Sequence, residues 1–122
     1  MKLDFRSDQP IYLQLKQFLS EAIVTAGYAP GQRLPSVRDI ALDAEVNPNT
    51  VQRALSELER EGLVFSARTT GRFVTLDEDL IRQTRLNMAS EQVRLFWNAM
   101  QKLSVSQEEV RMLLDNMKEE IE

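Results

Sequence analysis

The side chains with the most specific hydrogen-bonding chemistry lie in one short segment, residues 47–56. Asn49 and Gln52 carry amides that can pair with the N6 and N7 edge of adenine. Arg53 carries a guanidinium that fits the O6 and N7 edge of guanine, and Thr50 can bond a phosphate or touch a thymine methyl group. The chemistry that these residue types offer is the recognition of nucleic acid.

The same residues would also suit an ordinary solvated helix face, which is polar in most proteins. Their placement favours the first interpretation, because no acidic residue follows Asn47 until Glu57. Asn47 suits an N-cap and Pro48 a first helical turn, so the polar set lies at the start of a helix. That end of a recognition helix enters the major groove. Helical spacing puts the apolar residues on the other face: Val51, Ala54, Leu55 and Leu58.

This helix is the second of two that are joined by a tight turn. Ser36 can cap the first of them, with Asp39 three residues later as a short form of the capping box. Only residues 45–47 separate the two, which indicates a helix-turn-helix. An amphipathic helix over residues 10–26 precedes both, and Gly27 suits its end.

Two short apolar runs, residues 63–67 and 72–76, predict strands joined by a turn at residues 69–71. An isolated two-stranded hairpin is only marginally stable. We therefore expect it to pack on the helices through Leu63, Phe65 and Phe73. A helix-turn-helix followed by a hairpin is a winged helix, and the sequence predicts one over residues 1–76.

Arginines lie at the edges of these elements, where they could neutralise phosphates or enter a minor groove. Arg33 and Arg38 flank the start of the helix that Ser36 caps. Arg68 and Arg72 flank the hairpin tip, where Gly71 would allow a positive φ. Each of them is equally well explained as an ordinary surface arginine. The predicted DNA-contact residues are Arg33, Ser36, Arg38, Asn47, Asn49, Thr50, Gln52, Arg53, Arg68, Thr70, Gly71 and Arg72.

Residues 77–122 are predicted to form a two-helix tail that mediates dimerisation. Apolar residues from Leu86 to Leu103 alternate at spacings of three and four, as in a coiled-coil seam. Ser106 and Glu109 predict a capping box for one last helix, with its inner face formed by Val110, Leu113, Leu114, Met117 and Ile121. Two helices cannot bury two apolar faces, so a second subunit is expected. The predicted interface contains Leu86, Ala89, Val93, Phe96, Trp97, Met100, Leu103 and Leu114.

The aromatic and methionine side chains of the tail could instead line a ligand pocket, although the tail has little room for one. A small-molecule effector therefore stays open as a further partner.

Composition narrows the function further. The 122 residues contain no histidine and no cysteine, which argues against an enzyme and against a metal or other cofactor. The net charge of −4 lies entirely in the tail: residues 1–76 carry nine basic and nine acidic side chains, and residues 77–122 carry six and ten. The sequence has neither an 18-residue apolar run nor a signal peptide, so a cytoplasmic location is expected.

Residues 30–41, PGQRLPSVRDIA, and 46–63, VNPNTVQRALSELEREGL, resemble the signature of GntR-family transcriptional regulators. Residues 70–74, TGRFV, look like the wing motif of that family, and residues 10–14 look like the opening of its first helix. The resemblance covers residues 8–76. The two-helix tail and the NPNTV segment are similar to the YtrA-like subfamily.

The resemblance implies a homodimeric repressor that binds a palindromic DNA operator. It also implies that Arg38 contacts a phosphate or a base, that Asn49, Thr50 and Gln52 are contact positions, and that Gly71 is one at the wing tip. Arginine is common in the family at Pro48 and Gln52. The alternative function is a winged-helix protein-interaction module without specific DNA binding, which the neutral charge of residues 1–76 permits.

Overall fold

The structure is a computed structural model that describes residues 3–121. Its helices and strands follow the predicted order, and the predicted fold class, a winged helix-turn-helix with C-terminal helices, is confirmed. The elements are α1 (Ile11–Val24), α2 (Val37–Ala44), α3 (Pro48–Arg60), β1 (Val64–Ala67), β2 (Gly71–Val74), α4 (Glu78–Lys102), α5 (Gln107–Asn116) and α6 (Lys118–Ile121). Within the described residues, no helix is long and apolar enough to span a bilayer.

The core of the winged helix forms where α3 packs against α1 and α2. Leu15, Leu19 and Ile23 recur every four residues on α1 and are fully buried. The predicted apolar stripe of α3, from Val51 to Leu58, is fully buried as well. The opposite face of α3 is left to solvent.

The predicted caps fix where α2 and α3 begin. The Ser36 hydroxyl accepts a hydrogen bond from the backbone N–H of Asp39 at 3.1 Å, and the Asn47 side-chain oxygen accepts one from Asn49 at 2.8 Å. Between the helices, Glu45 adopts a left-handed conformation with φ of 55°. Because each cap satisfies a backbone donor at a helix start, the turn can be short without leaving the helix ends unpaired.

Of the residues expected to pack the hairpin on the helices, Leu63 is buried but Phe65 is not. In its antiparallel register Val64 pairs with Val74, and Phe65 pairs with Phe73. Leu63, Val64 and Val74 are buried, whereas Phe65 is 43% exposed. The expectation that Phe65 packs on the helices is wrong, because neighbouring strand residues point to opposite faces and Val64 takes the inner one.

The two phenylalanines stabilise the outer face of the hairpin instead. Their rings stack across the strands, with centroids 5.7 Å apart and planes 22° from parallel. Such an aromatic cross-strand pair stabilises a sheet.

The chain divides into two compact units, one extending to Arg85 and one beginning at Leu86. This boundary lies later than the expected division between residues 76 and 77. The first turns of α4 explain the difference, because Ile81 is buried and Leu80 lies close to Gly62 at the end of α3.

The tail differs from the expected two helices. The capping box of Ser106 and Glu109 is present, but the last helix ends at Asn116 and a short α6 follows after Met117. Of the described residues in the second unit, only Val110 is buried. We expected four apolar residues of the last helix to face inward: Leu113, Leu114, Met117 and Ile121. Within a single chain this expectation is wrong, because all four are exposed.

The packing of α3 predicts that alanine substitutions at two leucines lower the free energy of unfolding by very different amounts. Leu58 is fully buried, so Leu58→Ala should lower the free energy of unfolding by about 2–5 kcal/mol. Leu42 is 69% exposed on α2, so Leu42→Ala should change it by less than about 0.5 kcal/mol. Urea unfolding followed by circular dichroism measures both, and equal losses would contradict this description of the core.

Candidate nucleic-acid interface

The exposed face of α3 presents the polar residues that the sequence singled out. Asn49, Gln52 and Arg53 are exposed, and Thr50 is half-buried at the first turn. The amide of Gln52 lies 3.5 Å from the hydroxyl of Ser56, a long and weak hydrogen bond. These side chains are therefore free to bond a ligand on the solvent side.

Arg53 stacks on an aromatic ring, a contact that the sequence alone did not reveal. Its guanidinium carbon lies 3.7 Å from the ring centre of Tyr12 on α1. The attraction between a cation and an aromatic face limits the positions open to this long side chain. Tyr12 belongs to the helix opening that matched the family motif, and this was its one signal in the sequence.

Ser36 and Asn47 have structural roles as caps, in addition to any contact with a ligand. Their side-chain oxygens accept from the helix N-termini, as described above. The Ser36 hydroxyl and the Asn47 amide nitrogen can still donate outward. Such donors suit phosphate oxygens, which are acceptors only.

Arg38 lies beside the start of α3. It lines a shallow depression together with Val46 and Pro48, so that its exposed side chain is next to the first turn of that helix. Among residues 3–121 it makes no ion pair and no side-chain hydrogen bond. A guanidinium without an acidic partner beside a helix N-terminus gives a local positive potential.

Arg33 lies near the start of α2, as the sequence predicted, because it lines one depression with Ser36 and Asp39. It also lies against the hairpin. Its backbone forms a bridge with Phe73, and its Nε would lie 3.0 Å from a Cβ placed on Gly71. Gly71 has φ of 114°, a conformation that side chains rarely allow, so the predicted need for glycine is confirmed. The absence of a Cβ there leaves room for the Arg33 guanidinium.

The turn of the hairpin, which we call the wing tip, consists of residues 68–70. Arg68 and Thr70 are exposed there, and Thr69 has φ of 62° and donates its hydroxyl hydrogen to the carbonyl of Arg68. The wing tip thus presents a cation and a hydroxyl to solvent.

Arg72 is held within the protein. Its Nε donates to Oε1 of Glu59 on α3 at 2.6 Å, and its side chain is only 20% exposed. The hydroxyl of Ser66 donates to the same oxygen at 2.6 Å. The sequence marked Glu59 only as an acid late in α3, because a contact across 13 positions leaves no local pattern.

The hydrogen bond from Ser66 and then that from Arg72 lower the pKa of Glu59 below its ordinary value of 4.5. The Glu59 carboxylate is therefore charged at neutral pH.

All three acids at the end of α3 have basic partners. Glu57 pairs with Arg60, Glu59 with Arg72, and Glu61 with Lys16 on α1. Each ion pair neutralises the charge of its acid locally. Arg33, Arg38 and Arg68 have no acidic partner within residues 3–121, so unpaired positive charge is present locally although residues 1–76 carry no net charge.

In the second unit, most of the residues predicted to form an interface between subunits are exposed. Trp97 and Met100 are half-buried, and the remainder are exposed: Leu86, Ala89, Val93, Phe96, Leu103 and Leu114. Several of them line an open groove of about 670 Å³ with Val110 at its base and Arg111 and two glutamines at its rim. This groove is larger than the sequence led us to expect.

Comparison with known proteins decides the family. Residues 11–74 match the family described as bacterial regulatory proteins, gntR family, which is more than half of the chain. The chain belongs to the GntR family. GntR proteins are transcriptional regulators, and an enzyme is not expected among them.

Two transcriptional regulators of Bacillus subtilis are similar over most of this chain. The HTH-type regulator YhcF is 36% identical over 110 residues, which cover 90% of this chain and 91% of YhcF. The HTH-type transcriptional repressor YtrA is 36% identical over 95 residues, 77% of this chain and 73% of YtrA. The YtrA-like subfamily fits these similarities.

Solved structures are similar to this chain as well. A family member from Listeria monocytogenes matches with a TM-score of 0.86 and 35% identity, over 92% of this chain and 98% of its own. The DNA-binding domain of AraR, solved with the operator ORE1, matches 62% of this chain and 98% of its own, with a TM-score of 0.55 and 26% identity. The GntR fold therefore extends over the tail as well as the winged helix.

The Glu59 contacts predict a stability difference that depends on pH. Because the folded-state pKa of Glu59 is lowered, its contribution is complete above about pH 4.5 and is lost as the pH falls through the folded value. Glu59→Gln should lower the free energy of unfolding at pH 7 by about 1 kcal/mol, since the ion pair is partly exposed. Urea unfolding at a series of pH values should show this difference shrinking in acid, and a constant difference would contradict the assignment.

Proposed function

We propose that this GntR regulator is a sequence-specific repressor that binds a palindromic DNA operator as a homodimer. The observation that carries the proposal is the division of α3, with one face buried and the other presenting Asn49, Gln52 and Arg53 at the exposed N-terminal end. Such a helix can enter the major groove and hydrogen-bond base edges.

The basic residues around α3 support contacts with the DNA backbone. Arg38 lies next to the start of α3, Arg33 lies against the hairpin, and Arg68 is exposed at the wing tip. Cations without acidic partners can replace the counterions condensed on DNA phosphates, which is the main source of affinity in such complexes. Ser36, Asn47 and Thr70 can add hydrogen bonds to phosphates.

The homodimer is supported by the apolar surface of the tail. Val93, which lines the apolar groove together with Phe96 and Trp97, is 64% exposed, and Leu103 on the same helix is 69% exposed. Exposed apolar surface of this kind is typical of a protein interface. A second copy would bury it, and two-fold symmetry in the protein would match an operator with two related half-sites.

Repression is proposed by analogy, because the similar protein YtrA is a repressor by name. A dimer bound to the operator would repress transcription simply by excluding other proteins from that DNA. Our hypothesis for a small-molecule effector is that it would act by changing the spacing of the two winged helices.

Arg38 provides the first test. Arg38→Ala should weaken binding to a duplex selected from a randomised DNA pool by about tenfold, and should reduce the salt slope of log Kd by about one. Fluorescence anisotropy over a range of salt concentrations measures both quantities. Light scattering should show the oligomeric state unchanged.

Arg60→Ala is the matched control for Arg38. It removes the same charge from an exposed position, but Arg60 pairs with Glu57 at the far end of α3. It should change the affinity by less than about twofold, since charges beyond a Debye length are screened. Equal effects of the two substitutions would contradict the role given to Arg38. If the wild-type protein selects no duplex even at low salt, the protein-interaction alternative is favoured.

Val93 provides a test of the dimer. Val93→Asp places a charge in the exposed seam of α4 and should convert a dimer into a monomer at micromolar concentration, because an unpaired charge at an interface core is costly. Leu42→Asp makes the same kind of change at an equally exposed apolar residue outside the tail and should leave the dimer intact. Light scattering distinguishes them, and a Val93→Asp dimer would refute this interface.

A further inference from the structure

One carboxylate oxygen connects the end of α3 to both strands of the hairpin. Oε1 of Glu59 accepts from the Ser66 hydroxyl on β1 and from Nε of Arg72 on β2, each at 2.6 Å. Ser66 and Arg72 are directly opposite each other in the strand register. Paired residues of an antiparallel hairpin project to the same face, so Glu59 meets both strands at one point. We call Glu59, Ser66 and Arg72 the wing anchor.

The wing anchor lies further towards the wing tip than the buried contacts do. Val64 and Val74, the inner pair, are two residues nearer the base of the hairpin on the same face. Only Ala67 and Gly71 separate the anchor from the wing tip along the strands. The anchor thus acts on the outer half of the hairpin, where apolar burial has ended.

The backbone holds the other edge of β2. The N–H of Leu34 donates to the carbonyl of Arg72 at 2.8 Å, and the N–H of Val74 donates to the carbonyl of Gln32 at 2.9 Å. These bonds fix β2 laterally, within the plane of the hairpin. The Glu59 carboxylate restrains the hairpin perpendicular to that plane, because it joins the inner face of the hairpin to α3.

We propose that Glu59 is a positioning residue for DNA recognition, whose carboxylate sets the angle between the wing and α3. This inference depends on the proposed function, in which α3 and the wing tip engage one duplex together. A wing tip held at a fixed angle binds its phosphates without the full entropic cost of ordering a loose hairpin. Loss of the anchor therefore weakens wing contacts while α3 contacts persist.

Simple electrostatics predicts that removal of the Glu59 charge raises the affinity for DNA. The positioning role predicts that it lowers the affinity, so an experiment can distinguish the two. Glu59→Gln removes a negative charge near DNA and also releases Arg72, which the sequence had placed among the DNA-contact residues. If Arg72 bound phosphate directly once released, or if charge alone mattered, this substitution would raise the affinity. Positioning by Glu59 requires that the affinity fall.

The experiment measures full-length Glu59→Gln, Arg72→Gln and the double variant on the duplex selected by the wild-type protein. Each single substitution should weaken binding by about five- to tenfold, and the double variant should be no weaker than either, because all three abolish the same ion pair between residues 59 and 72. Hydroxyl-radical footprints should lose protection at the positions covered by the wing and keep it at those covered by α3.

Glu57→Gln is the matched control. It removes the same charge from the same helix two positions away, but the partner of Glu57 is Arg60 on α3 and not a wing residue. Its affinity should equal that of the wild-type protein or exceed it slightly. Wild-type or higher affinity of Glu59→Gln, or additive losses in the double variant, would overturn the proposal.

Loss of the anchor must be distinguished from unfolding and from a failure to bind DNA at all. Circular dichroism establishes that each variant is folded, and Ser66→Ala, which removes the neutral donor alone, should reproduce part of the loss if Glu59→Gln does not fold. Failure of the wild-type protein to select any duplex would refute the proposed function itself. Wild-type binding together with unchanged wing protection in Glu59→Gln would refute only the positioning role.

Discussion

Burial of one face of α3 is the contact on which the other features of the winged helix depend. The stripe from Val51 to Leu58 packs against α1 and α2, and it is fully removed from solvent. Rotation of α3 about its axis would expose these residues, at a cost of about 25 cal/mol for each Å² of apolar surface. The same burial therefore decides that Asn49, Gln52 and Arg53 face outward. A helix held this firmly presents its polar side chains in one fixed orientation.

The charges of the first unit are arranged around this helix. Glu57, Glu59 and Glu61 follow one another at its C-terminal end, and each is neutralised by a different element: α3 itself, the hairpin and α1. Arg38 lies at the opposite end, beside the first turn. Net charge is thus a poor guide to the partner of this unit, because paired charges contribute little to the field at a distance. What matters is which cations lack an acidic partner.

The second unit follows a different principle, since it keeps apolar side chains in contact with water. Val93 on α4 and Leu114 on α5 are exposed, and Val110 alone among its described residues is buried. A helix pair of this size cannot enclose both of its apolar faces. The exposed apolar surface is the feature that supports the proposed self-association, and with it the proposed symmetry of the DNA site.

Local sequence was sufficient where a structural choice depends on a few neighbouring residues. The structure agrees with each prediction that depends on residues within about one helical turn. These are the caps at Ser36 and Asn47, the first turn at Pro48, the positive φ of Gly71 and the apolar spacing on α3. Phe65 was misplaced because a strand shifted by one residue reverses which side chains face inward, and composition does not set that register.

The contacts of the candidate site were decided by the tertiary structure. Glu59 meets Ser66 and Arg72, Arg53 stacks on Tyr12, and Arg33 lies against Gly71, across 7 to 41 positions of sequence. Such pairs form only after the core has brought separate elements together, so no periodicity records them. The sequence by itself therefore determined which elements form and which face of α3 is polar, because short-range hydrogen bonds and hydrophobic periodicity fix those. Only the tertiary structure decided which charges remain unpaired and how the wing is held, because these depend on distances between elements that are remote in sequence.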